Sequence, residues 1–232
     1  MNNPVRNWAD YWTQPNSIYV NALHRDVHYR DIADGMIALL PGPNTRVLDY
    51  GSGEATDAAR VAASAAELVL CEASPWVRDR LLERFGGNSK IKVLAPEELE
   101  RLPAASFDFI IANSVVQYVA KTDLGQLLAD WRRLLNPNGV LVVADVIPPH
   151  VGALSDTLAL LRYAASNGFL LAALAGLSRT ALSPYRKLRA QITTYDEAEF
   201  LAKLDGAGFS AERLGINLEH SPARMTFRAR PR

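Results

Sequence analysis

Short apolar runs alternate with longer stretches of helical spacing through most of the chain. The runs at 68–72, 91–94, 107–112 and 140–147 are rich in Val, Leu, Ile, Phe and Ala, and the shorter one at 45–50 centres on Val47-Leu48, as expected of strands in a buried sheet. Between them, 55–66 is rich in alanine with no proline or glycine, so a helix is expected to start near Glu54 or Ala55. A second helix should span 75–85, with Pro75 in its first turn and Gly86-Gly87 after its end. A third, amphipathic, should span 123–135 and return through Asn136-Pro137-Asn138-Gly139. Upstream, Val27, Ile32, Met36, Ile37 and Leu40 form the stripe of a helix over 24–40, stopped by Pro41-Gly42-Pro43. Strands alternating with helices predict an α/β fold around a parallel sheet. Toward the C-terminus, 194–208 reads as a helix starting near Thr193 or Thr194, and 211–218 and 224–229 as a closing hairpin. There Arg224, Arg228 and Arg230 alternate as a solvated face.

Two stretches break the alternation. Residues 1–24 place Trp8, Tyr11, Trp12 and Tyr19 at near-helical intervals, with Pro4 and Pro15 as breakers, which suits a helix covering the sheet or a lid whose rings exclude water. Residues 148–190 open on Pro148-Pro149 and hold many leucines, but polar residues interrupt them before the ~20 apolar residues of a membrane span are reached. A helical lid insertion is expected, with a dimer interface as the rival. The cluster Arg179, Arg186, Lys187 and Arg189 reads as a solvated face, with a substrate anion or a peripheral membrane contact as alternatives.

With 232 residues, 49% of them hydrophobic, the chain suits a single domain with an insertion. The expected parts are a helical cap over 1–40, a core over 45–147, the lid over 148–190, and a C-terminal helix and hairpin over 191–232. Lys and Arg number 25 and Asp and Glu 25, so no net field draws the protein to nucleic acid. The single cysteine, Cys71, can form no internal disulfide, and no basic segment followed by an apolar run opens the chain. A cytoplasmic location is the expectation, with Cys71 a buried structural thiol. His24 and His28 lie four apart, but no HExxH motif or cysteine pair accompanies them, so no metal is expected.

The chemistry points to 45–54, Thr-Arg-Val-Leu-Asp-Tyr-Gly-Ser-Gly-Glu: a strand, an acidic residue and two glycines. Gly51 and Gly53 mark a tight turn that a ligand can approach closely. The dinucleotide fingerprint wants a third glycine at 56, where the chain has Thr56, and no Lys or Arg between Val47 and Ala59 meets a phosphate. The second strand ends in Glu72, followed by Ala73, about 20 residues past the glycines, where a carboxylate accepts from ribose hydroxyls. A ribose site without a phosphate grip suggests S-adenosylmethionine.

Asp49-Tyr50-Gly51-Ser52-Gly53-Glu54-Ala55 resembles the first motif of class I S-adenosylmethionine-dependent methyltransferases, acidic-x-Gly-x-Gly-x-Gly, with Ala55 in place of the third glycine. The likeness runs from about Ile32 to the C-terminus and includes Leu134-Leu-Asn-Pro-Asn-Gly-Val-Leu141 and Leu204-Asp-Gly-Ala-Gly-Phe209. It implies a Rossmann-like, doubly wound, seven-stranded, mainly parallel sheet with an antiparallel strand in its C-terminal hairpin. By the same resemblance Asp49, Tyr50, Gly51, Ser52 and Gly53 hold the methionine part of the cofactor, Glu72 and Ala73 the ribose, and Pro96 or Glu97 the adenine. Asn113, Ser114 and Tyr118 lie toward methyl transfer. Candidates for acid–base roles are Tyr118 and His28, with Asp145 more often structural; a base is needed only if the acceptor must lose a proton. The expected partner is a small, hydrophobic or bulky molecule, and monomer and homodimer stay open. Two rivals remain: a catalytically silent adenosylmethionine-binding regulator, and an NAD-dependent oxidoreductase, disfavoured by Thr56 and the lack of a Tyr-x-x-x-Lys pair.

Overall fold

The computed structural model describes residues 19–180 and 192–232. Seven strands, β1 Arg46–Tyr50, β2 Glu67–Cys71, β3 Ile91–Leu94, β4 Phe107–Asn113, β5 Leu135–Val146, β6 Phe209–Leu214 and β7 Met225–Pro231, form one sheet in the order β3-β2-β1-β4-β5-β7-β6. The first five pair in parallel, and β7 runs antiparallel to both β5 and β6. Six strands therefore point one way and β7 is reversed. The order switches between β1 and β4, and in such sheets the ligand crevice opens at the carboxyl ends beside that switch.

Alternation along each strand sends neighbouring side chains to opposite faces. Leu48 and Ile110 pack on one side with Leu124, Leu128, Trp131 and Leu134 of α5 (Leu124–Leu134) and Phe200 and Leu204 of α8 (Glu197–Gly206). Val47 and Phe109 pack on the other with α1 (Ala22–Leu39), α2 (Ala58–Ala63) and α3 (Pro75–Phe85). Both faces being covered, β2 and the 140–144 part of β5 could be apolar almost throughout, which is why their runs showed no alternation.

Several boundaries differ from the expectation, each for a local reason. Helix α2 starts at Ala58, because Ala55 takes a left-handed φ of 38° and its carbonyl accepts from the Ala58 amide, so the chain turns before it can wind. Helix α8 is capped by Asp196, whose carboxylate accepts from the Glu199 amide; Thr193 instead bonds the Gln117 and Val119 carbonyls. Strand β6 begins two residues early because Phe209 buries completely, and it ends at Leu214, which frees 215–224 to cross the strand ends. Arg224 is no solvated residue: it clamps Asp145 at 2.6 Å and Asp156 at 2.9 Å. Arg228 does sit on an exposed face, paired with Glu212.

The expected insertion holds two helices, α6 (Ala153–Ser166) and α7 (Leu170–Thr180), joined by a small core of Ala164, Phe169 and Ala173. Arg224 ties the start of α6 to β5 through Asp156, and the Tyr163 hydroxyl ties its end to Asp31 of α1 at 2.7 Å. Leu154 and Leu171 are over 80% exposed on the outer side. No helix among the described residues is long and apolar enough to cross a membrane. Trp8, Tyr11, Trp12, Arg186, Lys187 and Arg189 and the side chain of Arg179, which carry the cap and basic-cluster expectations, lie outside what is described.

Removing one partner of a buried pair strands the other charge. Arg224→Met should lower unfolding free energy by about 3 kcal/mol, whereas Arg228→Ala should cost under about 1 kcal/mol, as read from urea unfolding midpoints.

Candidate active site

At the end of β1 the chain turns through Gly51 at φ 76° and Gly53 at φ 58°, conformations that glycine adopts without strain. The amides of Gly51 and Ser52 donate to the Cys71 carbonyl at 2.8 and 3.2 Å, which clips the turn to the end of β2. Space is as restrictive as conformation: a Cβ at Gly51 would lie 2.6 Å from a Val115 methyl, and one at Gly53 2.8 Å from the Tyr29 hydroxyl. That hydroxyl accepts from the Glu54 amide at 2.8 Å, so α1 closes one side of the turn. Ser52 Oγ is buried with no hydrogen-bond partner among the described residues.

Two carboxylates flank the turn. Glu72 accepts from the Gly53 amide at 3.0 Å and the Ser74 amide at 2.8 Å. Burial raises its pKa, against the pull of those amides and of Arg78; Arg78 itself is spent on the Glu72 and Ala73 carbonyls. Asp49 is pushed up to about 7, by burial first and then by the Glu72 charge. Two acids thus lie near one another with little cation to answer them, a donor set that suits a cationic, hydroxyl-bearing ligand. Tyr50 turns away, its ring edge-on to Trp131 at 5.3 Å. Pro96 and Glu97 open the short helix α4 (Pro96–Leu99) after β3, with Glu97 exposed and Glu98 accepting from the Ala95 amide.

The second half of the site lies at the ends of β4 and β5. Asn113 Nδ2 donates to Glu219 Oε1 at 2.9 Å, and the Ser114 hydroxyl to Asp145 at 2.7 Å. Glu219 Oε2 meets His28 Nε2 at 2.6 Å, and His28 Nδ1 meets the Tyr19 hydroxyl at 2.9 Å. Burial would lower the His28 pKa, but the charge and hydrogen bond of Glu219 outweigh it and raise it. Glu219, opposed by burial, is held well below the carboxylate range chiefly by His28. Asp145, at φ 64°, is pushed up by burial and pulled back by Arg224, Ser114 and Asn217. With these partners on its oxygens it is a structural acid.

The structure therefore gathers Asp49, Gly51, Ser52, Gly53 and Glu72 around one turn, and His28, Asn113 and Ser114 around Glu219. Tyr118 occupies the half-buried 3-10 turn Val116–Tyr118 after β4. Glu219 was missed because it belongs to no motif; it comes from the irregular 215–224 connection, and nothing local marks it. No group of three or more His, Cys, Asp or Glu among the described residues is placed to hold a metal.

Residues 48–143, which span β1 to β5, match the family model described as a methyltransferase domain. Over those residues the chain is similar to the methyltransferase domains of that family, and its sheet is that of the Rossmann-like class I S-adenosylmethionine-dependent methyltransferases. The family binds S-adenosylmethionine, and the residues present fit it: a glycine cradle, the orphaned Ser52 hydroxyl and two under-compensated carboxylates. Among solved structures, the DhpI–SAH complex is 14% identical with TM-score 0.62, covering 96% of this chain and 94% of that one. A chain in the Haloferax volcanii complex of the Trm112 methyltransferase activator with a methyltransferase has the same identity and TM-score, with coverage of 98% and 99%. The Thermotoga maritima protein TM1293, described as a possible histamine N-methyltransferase, is 17% identical with TM-score 0.53, covering 90% and 91%. At such identities these likenesses carry the fold. No curated protein matches this chain in sequence.

Because the Asp49 pKa is raised from 3.8 to about 7, the folded state holds that proton more tightly than the unfolded one. Its contribution to stability falls as pH rises from about 4 to 7 and is lost above. Asp49→Asn should therefore raise the melting temperature of the free protein at pH 8 and leave it nearly unchanged at pH 4, by calorimetric melts at both.

Proposed function

We propose that the protein methylates a small, hydrophobic acceptor from S-adenosylmethionine. The observation that carries this is the meeting of the acidic glycine turn with the polar cluster on Glu219 at one end of the sheet, beneath the α6–α7 insertion. In this reading Asp49 and the Gly51–Gly53 turn face the cationic methionine end. Glu72 accepts from the Gly53, Ser74 and Ala73 amides, and its remaining acceptor capacity turns toward the ribose hydroxyls. Pro96 and Glu97 lie toward the adenine, and Asn113 and Ser114 toward the transferable methyl.

When bound, the cofactor supplies an electrophilic methyl on a sulfonium, so the protein's task is alignment and exclusion of water. Helices α6 and α7, latched by Arg224–Asp156 and Tyr163–Asp31, roof the acceptor side. Their apolar inner residues favour an acceptor with an apolar body.

Calorimetry with S-adenosylhomocysteine should give saturable binding. Gly51→Val, which combines a left-handed φ with a Val115 clash, should abolish it without unfolding the protein. Glu72→Ala should weaken it by about 1–3 kcal/mol. Labelled methyl transfer into cell extract should yield adenosylhomocysteine; binding without turnover would make the protein a cofactor-binding regulator instead.

A further inference from the structure

Resting on that reading, we propose that Tyr19, His28 and Glu219 form a proton relay, and that the acceptor is an aromatic hydroxyl whose proton leaves along it. The geometry is continuous: Tyr19 hydroxyl to His28 Nδ1 at 2.9 Å, His28 Nε2 to Glu219 Oε2 at 2.6 Å, and Glu219 Oε1 fixed by Asn113 at 2.9 Å. Tyr19 also bonds Tyr29, whose oxygen accepts from the Glu54 amide of the glycine turn, so the relay starts beside the cofactor's place.

Such a chain has a use only for an acceptor that gives up a proton. A neutral imidazole is within a few units of a phenol, whose pKa is about 10. The surrounding walls are flat and aromatic. His24 stacks on Phe169 at 4.7 Å and Tyr163 on His220 at 5.2 Å, and Tyr19 stands edge-on to His24. Burial, ahead of the neighbouring His28 and His220 charges, lowers the His24 pKa to about 4, so at neutral pH it is an uncharged plate.

In the step, the acceptor oxygen bonds the methyl carbon as the carbon–sulfur bond breaks, and that electron pair returns to sulfur, neutralising the sulfonium. The acceptor proton passes to the Tyr19 oxygen while the Tyr19 proton passes to His28 Nδ1. His28 ends as imidazolium against the Glu219 carboxylate. Tyr19 is the catalytic contact, His28 the base acting through it, and Glu219 the positioning residue. The charged or titratable groups facing His28 are His24, Tyr29 and Asp31 from its own helix, Tyr19, Glu219 from the 215–224 connection, and Asp145 from β5.

The sign follows from the partners. With Glu219 the imidazole pKa is held above its ordinary value; without it, burial is opposed only by the lesser pull of the Asp145 and Asp31 charges, and the pKa falls. Three measurements test the relay. NMR titration of His28 in the free protein should show that fall in Glu219→Gln. Calorimetry should show adenosylhomocysteine binding preserved in Glu219→Gln and Tyr19→Phe. Adenosylhomocysteine release from panels of phenols, primary amines, thiols and carboxylic acids should be seen with phenols. It should rise with pH through the His28 pKa and drop about a hundredfold in Glu219→Gln. An unmoved His28 titration, a flat pH profile, or turnover of amines but not phenols would each overturn the relay, whereas adenosylhomocysteine binding with no turnover of any acceptor would overturn the methyltransferase reading on which it rests. Absence of adenosylhomocysteine binding in the parent protein would overturn that reading too.

Discussion

The site depends on two buried ion pairs set side by side at the carboxyl ends of β4 and β5. His28–Glu219 joins helix α1 to the 215–224 connection, and Arg224–Asp145 joins that connection to β5 and, through Asp156, to α6. Ser114 touches both carboxylates, and Asn217 donates to Asp145 and accepts from its amide. Burying these carboxylates, the Arg224 guanidinium and the His28 imidazole is costly in desolvation, and such pairs seldom add net stability over an apolar core. What they fix here is geometry, since each charge is compensated only when the helix, the connection and the insertion all stand in one arrangement.

Around the glycine turn the logic is reversed. Asp49 and Glu72 are buried near one another with amides but little cation, so burial raises both pKa values and the Glu72 charge raises that of Asp49 further. The apolar sheet on both sides makes this tolerable: Val47, Leu48, Val69 and Leu70 are fixed by packing, and the turn is clipped by two amides to Cys71. A rigid scaffold thus holds two under-compensated carboxylates at one end and a fully compensated network at the other.

Much of this was legible. The five parallel strands, helix 75–85 to the residue, and the Asp49–Gly53 and Glu72 pairing followed from local patterns. Strand periodicity, proline and glycine placement and a turn motif act over a few residues, and burial on both faces leaves a strong apolar mark. Errors fell where a distant partner decided. Arg224 alternates with Arg228 and Arg230 as a surface strand would, yet two acids from β5 and α6 draw it inward. Ala55 belongs to an alanine-rich run, yet the turn holds it left-handed and delays α2 to Ala58.

The sequence by itself determined the sheet, the helix faces and the cofactor-side turn, because those are set by side-chain periodicity and by backbone freedom within one segment. Only the tertiary structure decided that Glu219, 191 residues from His28, supplies the carboxylate that raises its pKa and anchors Asn113. The physical reason is that a buried charge is specified by its partner, and partners brought together by chain reversal leave no periodic trace along the chain.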